Sequence, residues 1–162
     1  MTINEIKELL SHEPTVELIA ELAQDKRVAV QKLLQSYHKR IEKAALEKER
    51  FYKMLSYERQ YYGEGAKLIA GVDEAGRGPL AGPLVIAAVI LPEDVFISGL
   101  NDSKQISASK RAKLYDEVLQ KVISVSVNIV SISNIDELNI YRATQVGMSE
   151  VLLSLDVRPD VA

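Results

Sequence analysis

Two short apolar runs, with glycine and proline between them, limit what this chain can fold into. Residues 68–72 read Leu-Ile-Ala-Gly-Val and residues 84–91 read Leu-Val-Ile-Ala-Ala-Val-Ile-Leu, while the connecting segment carries Gly76, Gly78, Pro79, Gly82 and Pro83. Runs of this length, β-branched and bounded by turn residues, read as buried strands. The spacing between them suits an antiparallel pair.

Upstream of Lys67 the period is helical. Thr2-Ile3-Asn4-Glu5 has the form of a capping box, opening a helix to about Leu10. Pro14 suits the first turn of a second helix, with Val16, Leu18, Ile19 and Leu22 as its stripe. Asp25 is expected to cap a long third helix, along which Val30, Leu33, Tyr37, Ile41, Ala44, Phe51 and Leu55 recur at three-to-four spacing until Gly63 and Gly65. Downstream, Ser107 caps a helix to about Lys121, residues 124–132 form a third strand, and Ser133 opens helical structure to about Leu155. Residues 156–160 read as a turn, and Val161-Ala162 as the first step of another strand. The expected domains are a helical extension, 1–63, and an α/β part, 67–162.

Asp73 and Glu74 carry the chemistry, because they follow an apolar strand and precede Gly76-Arg77-Gly78. Carboxylate oxygens at a strand end suit Mg²⁺, a hard cation that makes few protein contacts. A glycine-flanked arginine allows close backbone approach and can fork onto phosphate. Together they suggest metal-assisted phosphodiester chemistry. A surface strand end followed by a tight turn is the plainer alternative, and the two carboxylates can share one site only if the strand breaks near Glu74. Gly76 offers that break. The glycine spacing does not match a dinucleotide fold, and no Lys-Ser or Lys-Thr pair follows for a nucleotide phosphate loop.

Composition narrows the remaining classes. There is no cysteine, hence no disulfide framework and no thiolate metal site. No apolar run is long enough to span a bilayer and the N-terminus is acidic, so the expectation is a cytoplasmic protein with no membrane partner. The net charge of −3 conceals a basic stretch. Residues 26–53 hold nine Lys or Arg against three Glu, +6, which leaves −9 for the rest of the chain. Lys39, Arg40 and Lys43 at its centre are candidate nucleic-acid contacts, against the alternative of a solvated helix face with local ion pairs.

The segment 69–91, IAGVDEAGRGPLAGPLVIAAVIL, resembles the signature of bacterial ribonuclease HII, of the type 2 ribonuclease H family. Leu100-Asn101-Asp102-Ser103-Lys104 and Ile135-Asp136-Glu137-Leu138-Asn139-Ile140 agree with it in order and spacing, so the likeness covers roughly 67–162. It implies a ribonuclease H-like α/β fold, with a mixed sheet and flanking helices behind the all-helical N-terminal module. A fourth strand would pair beside the first, and the domain is expected to be incomplete at the C-terminus. It also implies an endonuclease nicking the RNA strand of RNA–DNA hybrids, and ribonucleotides embedded in duplex DNA, in replication and repair. The expected ends are 5′-phosphate and 3′-hydroxyl.

By the same likeness Asp73 and Glu74 are catalytic ligands for Mg²⁺ or Mn²⁺. Gly76, Arg77 and Gly78 read the ribose 2′-hydroxyl. Ser103 and Lys104 bind substrate, Lys104 at a phosphate, while Asp102 orients its neighbours. The family's last two catalytic aspartates are expected beyond Ala162, so residues 1–162 alone are expected to be inactive, and the complete protein monomeric. Two other readings stay open: a non-catalytic module gripping hybrid duplexes, and a helical partner-docking element with an inert sheet.

Overall fold

The computed structural model describes residues 1–78 and 82–162; residues 79–81, part of the expected inter-strand turn, lie outside the described residues. The chain divides into two compact units, Met1–Arg50 and Phe51–Ala162.

In the first unit, local caps and apolar spacing agree. Helix α1, Ile3–Ser11, starts at Thr2, whose hydroxyl accepts from the Glu5 amide while the Glu5 carboxylate accepts from the Thr2 amide. Two N–H groups left over by the first turn are thereby satisfied. Helix α2, Val16–Ala23, is capped by Thr15, so Pro14 stands just ahead of the helix rather than inside its first turn. Asp25 does not simply cap α3, Val28–Met54: its carboxylate binds the Arg27 amide at 2.9 Å and the Arg27 guanidinium at 2.6 Å. Ile6, Leu10, Leu22, Val30 and Leu34 form the core, and the cluster reaches along α3 only as far as Tyr37. Ile41 and Ala44, expected in the buried stripe, are exposed, because α1 and α2 cover only the first turns of α3.

In the second unit Phe51 is fully buried with Val95, Ile97 and Leu114, and Leu55 packs onto that cluster. The expected single helix is interrupted there: α3 ends at Met54, and α4, Ser56–Gly63, starts after Leu55. Strands β1 (Ala70–Ala75), β2 (Leu84–Ile90) and β3 (Ser124–Val130) form an antiparallel sheet in the order β1-β2-β3. Helix α5, Ala108–Lys121, is capped by Ser107 as the sequence predicts. Strand β3 is shorter than expected. Ser131, not Ser133, caps α6 (Ile132–Leu138), and Asn139 at φ 63° separates α6 from α7 (Ile140–Leu153). A positive φ with ψ at 159° is a region used mainly by glycine, and the Asn139 side chain helps to hold it by capping α7, accepting from the Arg142 amide.

The core of the sheet lies on the face of Ala70, Leu84, Ile86, Ala88, Ile90 and Val130, packed with Ala143 and Val151 of α7. Gly147 allows this approach, since a β-carbon there would stand 2.5 Å from Ile86 Cδ1 and 2.9 Å from Val130 Cγ2. A further, parallel bridge joins Ile69 to Val161, so the pairing is mixed, and Val161 takes the place beside the first strand that the sequence predicts for it. Among the described residues, no helix is long and apolar enough to cross a membrane.

Asp160 fixes that bridge, a role the sequence reading of 156–160 as a turn did not contain. Its carboxylate accepts from the Lys67 amide at 2.8 Å and the Leu68 amide at 3.0 Å, and its own amide donates to the Leu68 carbonyl at 2.7 Å. The Lys67 and Leu68 amides hold this carboxyl below its ordinary value. A depressed carboxyl stabilises the fold above the unfolded value of about 3.9 and loses that contribution as pH falls through the lower folded value. The amide resonances of Lys67 and Leu68 should therefore titrate with a midpoint below 3.9, and Asp160→Asn should abolish the transition. A midpoint at or above the ordinary value contradicts the clamp.

Candidate active site

Asp73 and Glu74 are the fourth and fifth residues of β1, opposite Ala87 and Ile86 of β2. The strand runs on through Ala75 and breaks only at Gly76, two residues beyond Glu74. The pleat therefore sends the two side chains to opposite faces. Glu74 is half-buried on the face of Ile86, and Asp73 is exposed on the other. Asp73 Oδ1 turns back to accept from the Glu74 amide at 2.8 Å. Glu74 Oε1 meets Arg77 Nη1 at 3.2 Å, with the Glu74 side chain 18% exposed and Arg77 49%.

The turn depends on Gly76. At φ 96° its backbone takes a conformation disfavoured for L side chains, and a β-carbon there would lie 2.5 Å from the Pro83 carbonyl oxygen. Gly76, Arg77 and Gly78 are all exposed. Their main chain is open to a ligand, with no side chain on either glycine to hinder it.

Ser103 and Lys104 sit in a short 3-10 turn, Ser103–Gln105. Asp102 caps it by accepting from the Lys104 amide at 2.8 Å, so this carboxylate orients its neighbours. The Arg111 guanidinium donates to the Ser103 carbonyl at 2.8 Å and the Ile106 carbonyl at 2.9 Å, tying the turn to α5. Sequence reasoning missed Arg111. Its place one turn inside a helix that follows a capped loop was the available signal.

The three basic candidates on α3 differ in their surroundings. Arg40 donates to the Leu10 carbonyl and lies 5.5 Å from the Tyr37 ring centroid, so it closes the end of α1. Lys39 and Lys43 are exposed on one face of the helix with Lys32. Arg27 and Arg50 are engaged with Asp25 and Glu47. Part of the basic stretch thus consists of local ion pairs.

Among the described residues, no group of three or more His, Cys, Asp or Glu side chains is placed to hold a metal. Asp73 and Glu74 supply hard anionic oxygens, and Mg²⁺ commonly binds through one or two carboxylates with water and substrate phosphate completing its shell. The donor chemistry of Asp73 and Glu74 therefore suits such a cation, while the pleat leaves the two carboxylates on opposite faces of the strand and does not bring them to one point.

Comparison with known proteins identifies the frame in which these residues sit. A family described as "Ribonuclease HII N-terminal domain" matches residues 2–62, and one described as "Ribonuclease HII" matches residues 70–162. The chain is 49% identical over 163 residues to Ribonuclease HII of Lactobacillus delbrueckii subsp. bulgaricus, covering 99% of this chain and 62% of that protein. It is 44% identical over 164 residues to Ribonuclease HII of Bacillus mycoides, covering 99% and 63%. The chain thus spans a little under two thirds of the length of these curated relatives. The crystal structure of ribonuclease H2 from Pyrococcus horikoshii OT3 superposes with a TM-score of 0.52 at 33% identity, over 58% of this chain and 48% of that one. Strand–turn–strand geometry, sequence and structural likeness agree: the chain belongs to the ribonuclease HII family.

Proposed function

We propose that this chain supplies the metal-binding and ribose-sensing half of an endonuclease that nicks the RNA strand of RNA–DNA hybrids, and single ribonucleotides in duplex DNA. The observation that carries the reading is the Asp73–Glu74 strand end leading directly into the exposed Gly76–Gly78 turn. When bound, Mg²⁺ or Mn²⁺ supplies Lewis acidity that activates water and stabilises the leaving oxygen. Asp73 and Glu74 would hold the cation, which requires the strand end to bring both carboxylates to one face. The bare main chain of Gly76 and Gly78 can approach the 2′-hydroxyl, the group that separates RNA from DNA. Arg77 and Lys104 take flanking phosphates, with Ser103 next to Lys104 on a turn held by Asp102 and Arg111. The products carry 5′-phosphate and 3′-hydroxyl ends, and the work belongs to ribonucleotide removal in the cytoplasm. Residues 1–63 act as an extension of the catalytic part, 67–162.

With two carboxylates at the strand end and no third ligand group among the described residues, residues 1–162 alone favour a second reading, hybrid binding without cleavage. A chimera tests both. Residues 1–162 fused to the part of the Lactobacillus delbrueckii relative they do not span should cut the RNA strand of a hybrid in Mg²⁺ and leave all-DNA duplex intact. Residues 1–162 alone should cut neither. A chimera that cleaves all-DNA duplex equally well contradicts the ribose-sensing role, and metal-dependent cutting by residues 1–162 contradicts the second reading.

Lys39 and Lys43 add sequence-independent phosphate contacts. Changing both to Gln should lower the slope of log affinity against log salt by about 1.8, at roughly 0.9 per contact. Arg40→Gln should lower the stability of the first unit, through the lost Leu10 contact, more than it changes that slope. Superimposable salt curves for the Lys39 and Lys43 double variant and the unaltered chain would mark this face as merely solvated.

A further inference from the structure

The Glu74–Arg77 pair bears on how cation and nucleic acid bind at this site. Gly76 turns the chain so that the guanidinium three residues on returns to the carboxylate, at 3.2 Å. Glu74 is the more buried partner and Arg77 the more exposed, so the arginine is the one free to leave. A guanidinium on Glu74 opposes a divalent cation twice over. It occupies a carboxylate oxygen the cation would need, and it repels the cation as a like charge.

We propose that Arg77 is the resident counter-ion of Glu74 in the nucleic-acid-free protein, and that a phosphodiester draws it away as the cation arrives, so that cation and duplex bind cooperatively. This rests on Asp73 and Glu74 being the cation ligands. Arg77 meets Glu74 through a single Nη1–Oε1 contact at 3.2 Å, whereas a phosphodiester can take the guanidinium fork in bidentate fashion. Release of Arg77 frees Glu74 for the cation, and by reciprocity a bound cation frees Arg77 for phosphate. The protein alone therefore holds divalent metal weakly and does not carry a fully charged site until substrate is present. The coupling is modest. An exposed ion pair of this kind corresponds to about a threefold change in affinity.

The test measures Mn²⁺ binding to residues 1–162 without nucleic acid, by electron paramagnetic resonance of the free ion. Arg77→Gln should tighten Mn²⁺ about threefold, and Arg77→Lys, which keeps the charge, should stay closer to the unaltered chain. Lys113→Gln makes the same change in net charge on exposed α5 and should leave the affinity unchanged. Fluorescence anisotropy then reads the reciprocal effect. Mn²⁺ should strengthen binding to an RNA–DNA hybrid in the unaltered chain, and by a smaller factor in Arg77→Gln. Unchanged or weaker Mn²⁺ binding in Arg77→Gln, or equal tightening in Lys113→Gln, overturns the coupling. Asp73→Asn separates the two levels: if it weakens Mn²⁺ binding while Arg77→Gln has no effect, only the coupling fails. If it has no effect either, the strand end is not the cation site and both readings fall.

Discussion

Asp73→Asn in the chimera should reduce Mg²⁺-dependent cleavage of the hybrid by at least about a hundredfold. Loss of a residue that merely supports a metal ligand costs about 10–100-fold, and loss of an anionic ligand oxygen should cost no less. The exchange keeps the side-chain size and the site is exposed, so folding should be little affected. The Asn oxygen can still accept from the Glu74 amide, as Asp73 Oδ1 does at 2.8 Å, which preserves the local backbone. Hybrid affinity in the absence of metal should hold or rise, because a negative charge beside the phosphates is removed. A variant that loses cleavage together with thermal stability would point instead to a folding defect. Near-normal turnover at saturating Mg²⁺ would remove Asp73 from the site.

Gly76→Ala should destabilise the second unit by roughly 3 kcal/mol, which combines a strained φ with a steric clash. The clash is with main chain, the Pro83 carbonyl oxygen 2.5 Å from the added carbon, and no flexible side chain can swing away to relieve it. The turn would have to open, loosening the Ala75–Val85 pairing at the end of the strand that bears the carboxylates. Gly78→Ala is the control. Among the described residues nothing lies within 4 Å of the added carbon, and the Gly78 φ is not left-handed, so stability should change by less than about 0.5 kcal/mol. Denaturant midpoints with unchanged slopes would measure both. Equal effects at the two glycines would show that the turn does not depend on the Gly76 conformation.

The features legible in the sequence were the local ones. Thr2 with Glu5, and Ser107, cap helices because their side chains reach amides three residues on, a rule independent of the rest of the fold. The apolar runs around the glycine turn became β1 and β2 because short β-branched runs bounded by glycine and proline favour strands. Tertiary context decided what was misread. The break at Leu55 occurs where Phe51 and Leu55 join a cluster with Val95 and Ile97, residues some forty positions away. Ile41 and Ala44 keep helical spacing, yet they lie beyond the reach of α1 and α2. Serine at 131 and at 133 could each cap a helix, and the start of β2 at Leu84, paired with Val130 at the end of β3, selects the first.

At the candidate site the sequence supplied residue types and order but not direction. Nothing local indicated that β1 would continue past Glu74, so the divergence of the two carboxylates and the Glu74–Arg77 pair emerged only from the geometry. Asp160 was hidden for a similar reason, since its partners at Lys67 and Leu68 lie more than ninety residues away.

The most direct test of the central claim is the location of a bound paramagnetic cation. Residues 1–162, labelled with ¹⁵N, would be titrated with substoichiometric Mn²⁺ while amide line broadening is followed along the chain. Broadening should be strongest at Asp73 and Glu74, fall off through Gly78, and be displaced by excess Mg²⁺. Broadening centred elsewhere, such as at Glu93 and Asp94, or unchanged by Asp73→Asn, would contradict the assignment of the strand end as the cation site.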